Sequence, residues 1–262
     1  MSATLSLDPG RIATITLRRP ERRNALDAAM LASFLSALES TAADEAARCI
    51  LIQGEGEHFC AGADFGDVAA GAREGARYGA GFEALLRAIE EHPLPVVAKV
   101  RGAALGAGCQ LLAACDLVVA AGDAVIGVPS ARLGLLLDLE KIQRMVRVLG
   151  ATTARELLLT GRSWTGTQAA ARGLVTTAVP AAELDSATAA LAEEIAATAP
   201  LSVRGSKAAI RAVLDHGTLD RDRDAAAFAV HDRRGITALQ SADLQEGLRA
   251  LRERRPPDFR GA

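Results

Sequence analysis

The sequence predicts an α/β fold: parallel strands with helices packed outside them, continued by a helical C-terminal region. Three observations carry this expectation. Short apolar runs recur in the first half of the chain, each leading through a loop into a segment of helical periodicity. That alternation is how parallel strands are joined, because a parallel pair needs a crossover between its members. Beyond Asp138 the strand-like runs stop and helix-like segments succeed one another.

The elements follow in order. RIATITL (11–17) alternates apolar and polar residues and reads as a strand. RRPERRNALD makes a turn, and Asp27 is placed to cap a helix running to about Ala47. CILIQG (49–54) is a short apolar strand, and GEGEHFCAGADFGD (54–67) is a loop punctuated by glycine. A helix from about Gly75 to Glu91 stops before Pro93. PVVAKVRG (95–102) and DLVVA (116–120) read as buried strands on either side of a short helix from Gly106 to Ala114. In the second half, 139–149, 152–160, 165–172, 181–198, 201–214, 219–233 and 243–254 read as helices.

Composition excludes several functions. Half of the 262 residues are hydrophobic, enough for a large core. The net charge is −2 and the arginines are interspersed with acids, which gives no surface for nucleic acid. Gln110, Asp116 and Asp123 break the apolar stretches well short of the about 18 residues that would span a membrane. The start, MSATLSLDPG, lacks the apolar core and basic flank of a secretory signal. Cys49, Cys60, Cys109 and Cys115 form no C-x-x-C pair, and the four histidines fall in no ligand spacing, so no metal site is expected. Buried thiols in a reducing cytoplasm are the better reading.

One stretch stands apart. Residues 102–116 read GAALGAGCQLLAACD: three glycines in seven positions, then an apolar helix with Gln110 in its first turns. The spacing is G-x-x-x-G-x-G, which fits neither the dinucleotide fingerprint nor the P-loop. A strand that turns through glycines into a helix brings unpaired N–H groups and a positive dipole end to its turn. FCAGADF (59–65) is a second small-residue loop after a strand. Side by side, the two loops would aim two N–H groups at one oxygen. Two tight turns with no ligand are the alternative.

The order of these motifs resembles the crotonase (enoyl-CoA hydratase/isomerase) superfamily. The resemblance runs through RPERRNAL (19–26), FCAGAD (59–64), PLPVVAKVRGAALGAGCQLLAACD (93–116), the A-x-x-x-G-L-V stretch from Ala169 to Val175, and EGLRALRERRPPDF (246–259). It implies a spiral of β-β-α units over 1–199 and a helical oligomerisation region over 200–262. It further implies trimers or dimers of trimers and an acyl-CoA thioester ligand, with no cofactor beyond the coenzyme A of the substrate. It places the oxyanion-binding amides on Ala63 and Ala107. By the same likeness Arg22 and Arg23 approach the phosphate or pantetheine, the backbone from Ala61 to Asp64 brackets the adenine, and Arg254, Arg255 and Phe259 reach a neighbouring subunit's coenzyme A. Leu251 stands where an aromatic residue is usual.

The sequence departs from the hydratase pattern at both catalytic positions. Gln110 and Ser130 occupy the places of the two glutamates that serve as acid and base. Neither side chain exchanges a proton near neutral pH as a carboxylate does, so ordinary hydration is expected to be slow or absent. Asp138 is the replacement base expected from similar isomerases; capping the helix from Leu139 is its other reading. The leucines before it are expected to line an acyl pocket that buries Asp138 and lifts its pKa. Glu140 is expected to be solvated, and Asp64 to anchor its loop through backbone N–H groups. Two functions remain: an enoyl-CoA isomerase or hydratase-like enzyme, and a non-catalytic acyl-CoA carrier or sensor.

Overall fold

The computed structural model describes residues 5–64, 72–217, 220, 223 and 237–261. Two sheets organise the chain. The larger has six strands in the order β1 (Leu5–Asp8), β2 (Ile12–Leu17), β3 (Cys49–Gly54), β4 (Val96–Val100), β6 (Leu117–Ala121) and β9 (Thr177–Val179). Only the β1–β2 edge pair is antiparallel. The smaller sheet orders β5 (Ala103–Leu105), β7 (Val125–Gly127) and β8 (Ser163–Thr165). Successive units thus give one strand to each sheet before turning into a helix: β4 and β5 precede α3 (Ala107–Ala114), and β6 and β7 precede α4 (Leu139–Thr160).

Local chemistry explains the helices. Asp27 caps α1 (Ala28–Ala43), its Oδ1 accepting from the Met30 N–H at 2.8 Å. Helix α1 ends four residues earlier than Ala47, where the chain turns toward β3. Helix α2 (Ala72–Glu91) packs on α1 and α3 and stops before Pro93. The break expected near residue 150 is present: Gly150 has φ 72° inside α4. Thr165 and Gln168 form a reciprocal capping box at α5 (Gly166–Ala171). Helix α6 (Leu184–Ala196) packs on β2, β3, β4 and β6, and Val96, Val97, Ala98 and Val100 of the central strand are fully buried. Helices α7 (Pro200–His216) and α8 (Ala242–Glu253) complete the C-terminal region. The helix expected over 219–233 lies almost wholly outside the described residues, as does the end of the 54–67 loop. Strands β1, β5, β7, β8 and β9 were not expected; all are three or four residues long, too short to show a period.

Among the described residues, no helix is long and apolar enough to cross a membrane.

Candidate active site

The two small-residue loops do lie side by side, laced by backbone. Cys60 N–H donates to Ala103 O at 2.9 Å, and Leu105 N–H donates to Cys60 O at 3.0 Å. The glycines make this approach possible. A Cβ at Gly102 would lie 2.1 Å from Glu57 O, and one at Gly108 would lie 2.3 Å from Cys60 O. Those two positions are therefore empty to admit the neighbouring loop's backbone, a demand the sequence reading had assigned to a ligand.

The turn before α1 holds the first loop in place. Asn24 is fully buried with φ 57°. Its Oδ1 accepts from Arg19 N–H at 2.9 Å, and its Nδ2 donates to Glu55 O and His58 O at 3.0 and 2.8 Å. Leu26 N–H donates to Gly62 O, and Asp64 N–H to Leu26 O, both at 2.8 Å. This short parallel bridge leaves the intervening Ala63 N–H aimed away from it. Ala107 is the first residue of α3, where an N–H has no intrahelical acceptor. Neither N–H donates to any acceptor among the described residues. Their loops meet: a Cβ at Gly62 would lie 3.8 Å from Ala107 N.

Ala63 and Ala107 both line a cavity of about 430 Å³ between α2, α3 and the start of α4. Gln110 enters it from α3. It is 2% exposed, and its Oε1 has no hydrogen-bond partner. Ser130, also buried, lines the same cavity beside Val128 and Pro129. Leu135, Leu136 and Leu137 line it, as expected, as do Tyr78 and Phe82 of α2. Asp138 is the only carboxylate that lines it among the described residues.

The surroundings of Asp138 differ from expectation. Its side chain is 62% exposed at the cavity mouth, not buried. It accepts no hydrogen bond from the α4 backbone, so it is no side-chain cap either. Its carboxylate is ion-paired to Lys141, one helical turn on, where the spacing makes the two side chains neighbours. Glu140 is exposed as expected. Arg144 bridges Glu83 and Glu90, each at 2.8 Å, and so clamps α2 to α4. Burial pushes the Glu83 carboxyl up, but the hydrogen bonds and charge of Arg144 outweigh it and hold the group below its ordinary value.

The enoyl-CoA hydratase/isomerase family model matches residues 8–262. The chain belongs to that family. It is 32% identical over 256 residues to the 2,3-dehydroadipyl-CoA hydratase of Escherichia coli, covering 96% of each. It is 38% identical over 256 residues to enoyl-CoA hydratase domain-containing protein 2 of Bos taurus, covering 95% of this chain and 84% of that one. The crystal structure of the enoyl-CoA hydratase from Bacillus anthracis matches with a TM-score of 0.89 at 30% identity, over 99% of this chain and all of that one. The fold is the crotonase α/β fold with its helical C-terminal region.

Within this enoyl-CoA hydratase/isomerase fold, the remaining expected site residues divide. Ala61, Gly62 and Ala63 line the cavity, and Ala61 N–H donates to Arg23 O at 2.9 Å. Arg22 and Arg23 are exposed on the turn beside that loop. Asp64 is anchored by a residue the sequence reading missed: the Arg19 guanidinium reaches Asp64 Oδ2 and Asp27 Oδ2, both at 2.9 Å. Arg255 is committed within its own chain, to Glu246 at 2.5 Å and Glu253 at 2.7 Å. Arg254 ends α8 in the left-handed conformation, and Phe259 packs on Gly247. None of these three lines the cavity. Two histidines accept backbone hydrogen bonds: His58 Nδ1 from Ala103 N–H at 3.2 Å, and His92 Nδ1 from Leu94 N–H at 3.1 Å. Asp67 lies outside the described residues. Cys60 and Cys109 sit behind the two loops, where burial pushes both thiols up to about 12 and leaves them protonated.

Proposed function

We propose that the chain binds an acyl-CoA thioester with its carbonyl oxygen between the Ala63 and Ala107 N–H groups, and that it shifts the double bond of an enoyl-CoA with Asp138 as base. The observation that carries this is the pair of acceptor-free N–H groups facing a cavity whose only carboxylate among the described residues is Asp138. In this reading Asp138 takes the α-proton of a β,γ-enoyl thioester. Negative charge moves to the thioester oxygen, where each amide donor contributes about 2.7–4 kcal/mol to the transition state. The carboxylic acid then returns its proton to the γ-carbon, which leaves an α,β-enoyl thioester. Gln110 and Ser130 shape the site without exchanging protons. Arg22 and Arg23 face the phosphates, the Ala61–Asp64 backbone the adenine, and Arg254, Arg255 and Phe259 a neighbour's coenzyme A. Coenzyme A enters with the substrate, and no separate cofactor is required.

Asp138→Asn tests the assignment. Isomerisation of an enoyl-CoA should fall by about 10²–10⁴-fold while acyl-CoA affinity holds. Activity retained in this variant removes Asp138 from the mechanism. A second reading, an acyl-CoA carrier or sensor without turnover, is favoured by one observation: the Asp138 carboxylate is already paired to Lys141. It predicts binding without isomerisation in the parent chain.

We further infer assembly into trimers or dimers of trimers in the cytoplasm, where fatty acyl-CoA chemistry occurs. Leu159, Leu239 and Leu251 are large apolar side chains exposed on the isolated chain, which supports burial by a neighbour. Light scattering should give a trimer or hexamer at micromolar concentration; a monomer would contradict this. The free thiols Cys49, Cys60, Cys109 and Cys115 suit a reducing compartment.

A further inference from the structure

Lys141 is the cavity's unexplained residue. A lysine in the first turn of a helix ordinarily lies in water. Here its side chain is only 6% exposed and lines the acyl cavity. Its Nζ stands 5.9 Å from the centre of the Phe82 ring. An ammonium has three N–H donors. Asp138 takes one, and among the described residues no other acceptor reaches the group. Asp138 is 62% exposed and Lys141 6%, so the ammonium is the more enclosed partner of the pair and has donors to spare at the cavity wall.

A hydrocarbon chain drawn into this cavity would strip the remaining water from those donors and return nothing, which is costly for a charged group. A chain carrying an oxygen would replace that water with a hydrogen bond to a charged donor. The same cavity holds a second polar atom without a partner, Gln110 Oε1. Apart from Ser130 and Asp138, its other side-chain walls are mainly leucines, Val128 and the rings of Tyr78 and Phe82, which contribute area but little discrimination between chains of equal length.

We infer that Lys141 makes the cavity selective for acyl chains that carry an oxygen acceptor beyond the thioester, a carboxylate or a hydroxyl, over plain hydrocarbon chains of equal length. This rests on the thioester-binding reading above and names the class of acyl group it would take. The two oxygen sources share one chemistry, acceptance of a hydrogen bond from Nζ. Asp138 would keep its ion pair with the ammonium, so a carboxylate would meet a cation already shared and a hydroxyl a donor already oriented.

The test is equilibrium titration of the full-length protein with hexanoyl-CoA, ω-hydroxyhexanoyl-CoA and adipoyl-CoA. At least one oxygenated ligand should bind about tenfold more tightly than hexanoyl-CoA, the usual size of a hydrogen bond to a charged group. Preference for both assigns neutral acceptor recognition; preference for adipoyl-CoA alone assigns charge recognition. Lys141→Met should collapse the preference ratio, and Lys141→Arg should preserve it. Equal affinity for all three ligands in the unmodified protein overturns the proposal, with no variant needed. So does a ratio that survives in Lys141→Met. Binding of none of the three is a different failure, because it removes the thioester site itself.

Discussion

Asn24 Nδ2 donates to the His58 carbonyl at 2.8 Å, and that bond joins the turn before α1 to the loop that carries Ala63. The same side chain holds Glu55 O and Arg19 N–H from the fully buried centre of the turn. Asn24→Ala would leave these buried backbone groups without partners and put alanine at a positive φ. We expect a loss of about 2–4 kcal/mol in unfolding free energy. Acyl-CoA affinity should weaken with it, since the Ala63 loop loses its anchor. Thermal unfolding and a binding titration check both; an unchanged melting temperature would remove Asn24 from the support of the site.

Much of this architecture is legible in the sequence. PVVAKV and CILIQG show their burial as unbroken apolar runs, and Asp27 shows its cap by position. The smaller sheet does not show, because three-residue strands carry no period. Asn24 and Arg19 read as ordinary turn residues; their roles depend on partners more than thirty positions away. The glycines of GAALGAG signalled a close approach, yet sequence could not say that Gly102 and Gly108 face the adjoining loop. Lys141 was hidden for a related reason. Its ammonium lies beside Phe82 of α2, some sixty positions away, and no local pattern encodes that.

His92 should make the protein acid-sensitive in a defined window. Burial lowers its pKa to about 4, against an ordinary value near 6.5. The neutral ring accepts from Leu94 N–H at Nδ1, and its Nε2 lies 3.1 Å from Leu38 O. Between those pH values the unfolded chain holds a proton that the folded chain does not. The stabilisation is therefore complete above about pH 6.5 and is lost as pH falls toward about 4, a change of about 3 kcal/mol. Urea unfolding across this range should show the decline, and His92→Gln should remove about one proton from its slope. Equal slopes in the two proteins would assign the acid sensitivity elsewhere.

Hydration of crotonyl-CoA should be slow or undetectable in the unmodified protein. Addition of water across the double bond needs one group to activate the water and one to protonate the α-carbon, each typically contributing about 10²–10⁴-fold. At the two positions suited to this by family resemblance, the cavity presents the Gln110 amide and the Ser130 hydroxyl. Gln110→Glu alone replaces one of them with little change in volume, and the side-chain amide makes no hydrogen bond among the described residues for the substitution to break. By itself it should raise hydration little, because the second proton still has no donor or acceptor. Ser130→Glu adds a longer side chain beside an open cavity of about 430 Å³, which has room to receive it. The double variant should therefore gain at least about 10²-fold over the unmodified protein, read as loss of enoyl-thioester absorbance. A fast unmodified protein would mean that another group, Asp138 foremost, already performs both transfers, and the isomerase assignment would have to give way to a hydratase that uses a single carboxylate.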